Sequence, residues 1–134
     1  IRENCKPGSM VLDYGCGYGQ ARPYLTEAGM FWYGYDLYPR DHKQADMESW
    51  YHVVALSNVL NIQPDMISLV RTVIEASARV CDHGLLVLNY PKTPRRIDSS
   101  WATVREYVLG NLKGFAIIHE TPHMLVLQQG GKKG

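Results

Sequence analysis

Short continuous apolar runs alternate along this chain with longer stretches whose apolar positions fall at helical spacing. Met10–Tyr14, Phe31–Asp36, His52–Ser57 and Gly84–Asn89 are runs of the first kind. An apolar run of four to eight residues bounded by turn formers describes a strand buried on both faces. Between the first two runs, Pro23 near a helix start and Gly29 just past its end bracket a short helix. From Pro64 to Val80, Met66, Leu69, Val70, Val73 and Ile74 recur at helical spacing, and Asp82-His83-Gly84 supplies a stop. A further helix is expected from about Trp101 to Leu109, capped by Ser99 or Ser100. Phe115–His119 and Met124–Gln128 read as two closing strands, with Thr121-Pro122-His123 as the turn between them.

Alternating strands and helices predict an α/β fold with a mostly parallel sheet and helices on both faces. The closing pair is joined too tightly to be parallel, so it must be an antiparallel hairpin. Fifteen residues, 37 to 51, separate Asp36 from His52. A crossover that includes its helix takes at least about 10–12 residues, so this interval holds one connection only. The count comes to about six strands.

At 134 residues the chain is expected to be one domain, 1–134, with 130–134 a loose glycine- and lysine-rich tail. Because it opens on Ile1 instead of Met, a preceding segment is expected to be missing from it. A formal net charge of +1 argues for neither a nucleic acid nor a membrane partner. The distribution is uneven, however. Seven basic residues against three acidic ones lie from Lys92 onward, which marks the C-terminal third as the place for an anionic partner. Three cysteines (Cys5, Cys16, Cys81) without Cys-x-x-Cys spacing give no zinc site or disulfide framework, and the expected compartment is the cytoplasm. No apolar run approaches the roughly 20 residues of a membrane span. The five histidines show no metal-ligand spacing, and no metal is expected.

The chemistry concentrates in Val11–Gly19, VLDYGCGYG. A buried strand leads to Asp13, and glycines follow at 15, 17 and 19, as a turn does where backbone must lie against a ligand. A dinucleotide fingerprint would need a glycine where Gln20 stands. A phosphate-binding loop would need a lysine, and none lies between Lys6 and Lys43. The remaining pattern, Asp-x-Gly-x-Gly-x-Gly, resembles the nucleotide-binding motif of class I S-adenosylmethionine-dependent methyltransferases. The order of elements resembles that Rossmann-like family over nearly the whole chain, and the shortened 37–51 interval departs from it. The family's third strand has no room there. The segments VVALSNVLN and GLLVLNYPK are similar to compact methyltransferase-like proteins associated with phage and DNA-modification loci.

The resemblance implies a cofactor, S-adenosylmethionine, released as S-adenosylhomocysteine, held by residues at the carboxyl ends of the strands. Asp13 would order the glycine turn and face the cofactor's amino group, with Gly15, Cys16, Gly17 and Gly19 forming the floor. Asp36, seventeen residues past Gly19 and followed by Leu37, stands near the family's ribose-binding acid; one carboxylate can accept from both hydroxyls of a diol. Asp46 and Met47 are candidates for the adenine pocket, with Asp41 and Glu48 as competitors. Ser57 and Asn58 would face the methionine part or the substrate. Asn61 is either a substrate contact or a helix cap. Asn89, Tyr90 and Lys92 are substrate candidates. Asn89-Tyr90-Pro91-Lys92 is similar to the Asn-Pro-Pro-Tyr motif of DNA amino-methyltransferases, but with its aromatic before a single proline and one strand later.

Methyl transfer from a sulfonium asks the protein mainly to align the reactants, so no catalytic residue is legible. The methyl acceptor, whether small molecule, nucleic acid or protein, stays open. The rival reading is a module that binds S-adenosylmethionine without transferring its methyl group, as a sensor, a sequestering protein or a partner subunit. A homo-oligomer is compatible with either. A nucleic-acid-binding module built on the basic third is a further alternative, but that loop lacks interleaved aromatics.

Overall fold

The computed structural model describes residues 8–14, 22–35, 50–56, 60, 63–90 and 99–130. Four of its strands pair in parallel: β1 (Met10–Tyr14), β2 (Phe31–Tyr35), β3 (Tyr51–Leu56) and β4 (Val80–Asn89). Two more, β5 (Phe115–Thr121) and β6 (Met124–Gln129), join antiparallel to them and to each other. The sheet order is β2-β1-β3-β4-β6-β5. Among the described residues three helices accompany it: α1 (Arg22–Glu27), α2 (Met66–Ser77) and α3 (Trp101–Asn111). This is the expected α/β fold, six strands with a closing antiparallel hairpin.

Alternate residues along the strands feed two cores. On one face Leu12, Val54, Leu56, Leu86, Leu88, Leu125 and Leu127 pack beneath Leu69, Val73 and Ala76 of α2 and Val104 and Val108 of α3. On the other, Val11, Val53, Ala55, Leu85, Val87 and Val126 meet Met30 and Leu25, the latter from α1. Central strands covered on both sides gain nothing from polar alternation, which is why VVAL and LLVL run unbroken. Asp65 caps α2 by accepting from the Ser68 amide at 2.8 Å. Of the two serines that could cap α3, Ser100 does so, accepting from the Thr103 amide at 3.3 Å.

One boundary differs from the sequence reading. The second long helix ends at Ser77, with Ala78 as its cap, and not at Asp82-His83-Gly84. Those three residues belong to β4, whose first residue is Val80. Val80 lies opposite Tyr51 and Leu85 opposite Val53, so residues 81–84 bulge out of the ladder. His83 takes a left-handed φ of 63°, and Gly84 sits against the carbonyl oxygens of Cys81 and His52. Glycine-containing triplets stop helices and form bulges alike, and only the pairing with β3 separates the two. Beside the bulge, exposed His52 accepts the Met10 amide on Nδ1 at 2.8 Å, tying the start of β1 to β3.

The connections decide where a ligand would lie. From β1 the chain reaches β2 through α1 on one face; from β3 it reaches β4 through α2 on the other. β1 and β3 are neighbours whose onward connections diverge, and such a switch point opens a crevice at the carboxyl ends of the strands.

Candidate functional site

Tyr14, Tyr35, Leu56 and Asn89 end the parallel strands on one edge of the sheet. The segments leaving that edge contain Gly15, Cys16, Gly17, Gly19, Asp36, Leu37, Asp46, Met47, Ser57, Asn58 and Lys92, with Asn61 just beyond. These candidates, and Asp41 and Glu48, lie outside the described residues. Asp13, Asn89 and Tyr90 lie within them.

Asp13 is the one charged side chain among the described residues that is buried, at 6% exposure. It points to the α1 face, since it shares strand parity with Val11. A carboxylate removed from water must find donors, and one is the indole of Trp32, whose Nε1 donates to Asp13 Oδ2 at 3.1 Å. The register explains the contact. Val11 stands opposite Trp32 and Asp13 opposite Gly34, so the indole reaches its acceptor diagonally across the ladder. Gly34, directly opposite Asp13, contributes no side chain there.

The other face of the same edge is aromatic. Tyr14 and Tyr35 have ring centroids 5.0 Å apart there, and farther down the same face Tyr33 and Tyr51 are 5.5 Å apart. The Tyr14 hydroxyl donates to Glu75 Oε2 at 3.5 Å, the long end of hydrogen bonding. Burial, then the Glu75 charge, pushes the Tyr14 phenol up to about 12. It is therefore a neutral donor at neutral pH and no base.

Asn89 and Tyr90 part company. Asn89 pairs with Met124 and is half-buried, so the turn of the closing hairpin lies at the same edge. Tyr90, the next residue, turns into the α2–α3 core at 1% exposure. Its hydroxyl donates to the Ser99 carbonyl at 3.0 Å, its amide donates to the His123 carbonyl at 2.9 Å, and its ring stacks on Trp101 at 5.7 Å. The ring that the sequence offered for a substrate is packed within the fold. Trp32 is the converse: read from the sequence, it is one aromatic among several in its strand. The available signal was a glycine within that strand, two positions after an indole, beside a strand ending in an acid.

A groove of about 700 Å³ runs between α2 and α3, lined by Met66, Ile67, Val70, Ile74 and Tyr107 among others. It lies on the face opposite Asp13, and the chemistry of the edge outweighs its size. Among the described residues no three His, Cys, Asp or Glu side chains gather as metal ligands would, and no helix is long and apolar enough to cross a membrane.

The sequence model of a family described as a methyltransferase domain matches residues 1–120. No curated protein matches the sequence. Among solved structures, magnesium protoporphyrin IX methyltransferase from Synechocystis, with bound S-adenosylmethionine, superposes with a TM-score of 0.68 at 21% identity, covering 92% of this chain and 71% of its own. A 1,6-didemethyltoxoflavin-N1-methyltransferase from Burkholderia thailandensis, with bound 1,6-didemethyltoxoflavin and S-adenosylhomocysteine, gives 0.67 at 15% identity, covering 94% and 72%. An S-adenosylmethionine-dependent methyltransferase from Mesorhizobium loti gives 0.59 at 17% identity and covers 92% of both chains. At these identities the likeness is one of fold.

Proposed function

The chain belongs to the methyltransferase-domain family, and from that premise we propose how its residues serve an S-adenosylmethionine-dependent methyltransferase. The observation that carries the proposal is a buried carboxylate, Asp13, at the end of β1 beside the β1–β3 switch point, leading into Gly15, Gly17 and Gly19. The donor set suits the ligand. S-adenosylmethionine brings a cationic amine, an adenine amine and two ribose hydroxyls, all hydrogen-bond donors, and the chain answers with acceptor carboxylates.

In this reading Asp13 orders the turn and faces the amine, while the backbone of residues 15–19 forms the floor. Asp36 and Leu37 hold the ribose, Asp46 and Met47 the adenine, and Ser57 and Asn58 the methionine part. The cofactor supplies a methyl group on a cationic sulfur that departs as a neutral thioether. The protein's own share is then to align an acceptor and exclude water. Asn89, on the same edge, supports entry of the acceptor from the hairpin side, with Asn61 and Lys92 in adjoining segments. The acceptor is a small molecule, a nucleic acid or a protein. Cysteine usage without a disulfide framework supports a cytoplasmic place of work.

Calorimetric titration with S-adenosylmethionine and S-adenosylhomocysteine tests the cofactor site, followed by transfer of a labelled methyl group to fractions of cell extract. Binding of both ligands and a labelled fraction are expected. No binding by a folded sample would overturn the site; binding with no labelled product in any fraction would favour the non-catalytic module. Asp36→Ala is expected to weaken S-adenosylmethionine binding by about 1–3 kcal/mol, and an unchanged affinity removes Asp36 from the site.

A further inference from the structure

We propose that Trp32 is a positioning residue for the cofactor site, acting through Asp13. The inference rests on the reading of Asp13 as a cofactor-binding acid and adds what holds that acid in place. Three observations carry it. Asp13 is buried, so its carboxylate takes its orientation from protein donors instead of water. The Trp32 indole N–H donates to Oδ2 at 3.1 Å, from the neighbouring strand. The register sets Gly34, which has no side chain, opposite Asp13 and places Trp32 two residues away on the same face.

The chemistry of the pair makes the contact directional. An indole N–H is a donor only, with no tautomer or rotation that would turn it into an acceptor. Its partner is the acceptor in every ionised state of Asp13, and hydrogen bonds to charged groups are the stronger class. The ring is half-buried and packs against the Val11–Leu25–Met30 core, so its own position is fixed by apolar contacts. Trp32 thereby transmits the rigidity of the α1-face core to one oxygen of the acid. It also ties β1, which leads into the glycine turn, to β2, which leads to Asp36. A shift of either strand end would tilt the carboxylate away from the cofactor's amine.

Trp32→Phe keeps the aromatic bulk and removes the N–H. The dissociation constant for S-adenosylmethionine should rise about tenfold, with KM for S-adenosylmethionine rising and kcat retained. Asp13→Ala should also weaken binding. The double variant should bind no more weakly than Asp13→Ala alone, since the N–H that Trp32→Phe removes donates to that carboxylate. A merely structural role would lower the melting temperature of the unliganded protein but leave the two effects on affinity additive. The wild-type chain gives a second measurement that depends on no variant folding. The Trp32 Nε1–H resonance should shift on titration with S-adenosylhomocysteine. Wild-type affinity in Trp32→Phe, additive effects, or an indole resonance unmoved at saturation would each overturn the proposal while leaving the cofactor site standing. Failure of the wild-type chain to bind either ligand would overturn both.

Discussion

Gly84→Ala isolates the constraint that the sheet places on one backbone position. A Cβ at residue 84 would lie 2.9 Å from the Cys81 carbonyl oxygen, 2.9 Å from the His52 carbonyl oxygen and 2.9 Å from Val80 Cγ1. Each is about half an ångström short of ordinary van der Waals contact. Two of the three obstacles are backbone, and one of those belongs to the neighbouring strand β3. No rotamer change relieves them, so the bulge or the β3–β4 pairing must move. Overpacking of that kind costs about 1–3 kcal/mol. At roughly 3–4 °C per kcal/mol for a chain of this length, the melting temperature should fall by about 3–12 °C.

Gly110→Ala is the matched control. Its Cβ would meet nothing within 4 Å, and residue 110 lies in α3. Replacing a helical glycine by alanine stabilises by about 0.5–1 kcal/mol. Thermal and urea melts of the two variants should therefore move in opposite directions. A Gly84→Ala midpoint equal to wild type, or both variants moving together, would refute the reasoning. Residue 84 is at the opposite end of β4 from the cofactor edge, so S-adenosylmethionine affinity should be unchanged in the folded variant.

Tyr90→Phe removes a buried hydroxyl from the Ser99 carbonyl and should cost about 1 kcal/mol in urea unfolding. Labelled-methyl transfer should continue at the wild-type rate, and a rate loss without a stability loss would return Tyr90 to the substrate site. The amide of Ser68 holds the Asp65 carboxyl below the usual carboxylate range. A depressed folded pKa gives stability that is present above the unfolded value and lost as pH falls through the folded one. The melting-temperature difference between wild type and Asp65→Asn should therefore be constant near neutrality and narrow below about pH 4; a difference that does not change with pH would contradict the cap.

Fold class and the order of elements along the chain were legible because they depend on patterns local in sequence. Apolar runs such as VVAL and LLVL can satisfy both faces only inside a parallel sheet, and residues 37–51 are too few for an extra strand with its helices. The glycine motif that begins at Asp13 pointed to the family and its cofactor because its spacing is local in the sequence. Positions whose meaning depends on a neighbour distant in the chain were not legible. Gly84 read as a helix stop until β3 stood beside it. Tyr90 read as a substrate ring, but strand alternation carried Asn89 to one face and turned Tyr90 onto Trp101 and Ser99.

Trp32 shows the division most plainly. Periodicity made it an aromatic strand residue, and nothing within FWYGYD distinguishes it from Tyr33 or Tyr35. Only the pairing of β2 with β1, in a register that sets Gly34 against Asp13, brings its indole to the carboxylate. The sequence by itself determined the Rossmann-like sheet and carried the glycine-rich motif after Asp13, because apolar patterns and glycine spacings are read from neighbours in the chain. The tertiary structure decided which side chain donates to the buried Asp13 carboxylate, because a hydrogen bond between strands exists only once register has fixed which residues face each other.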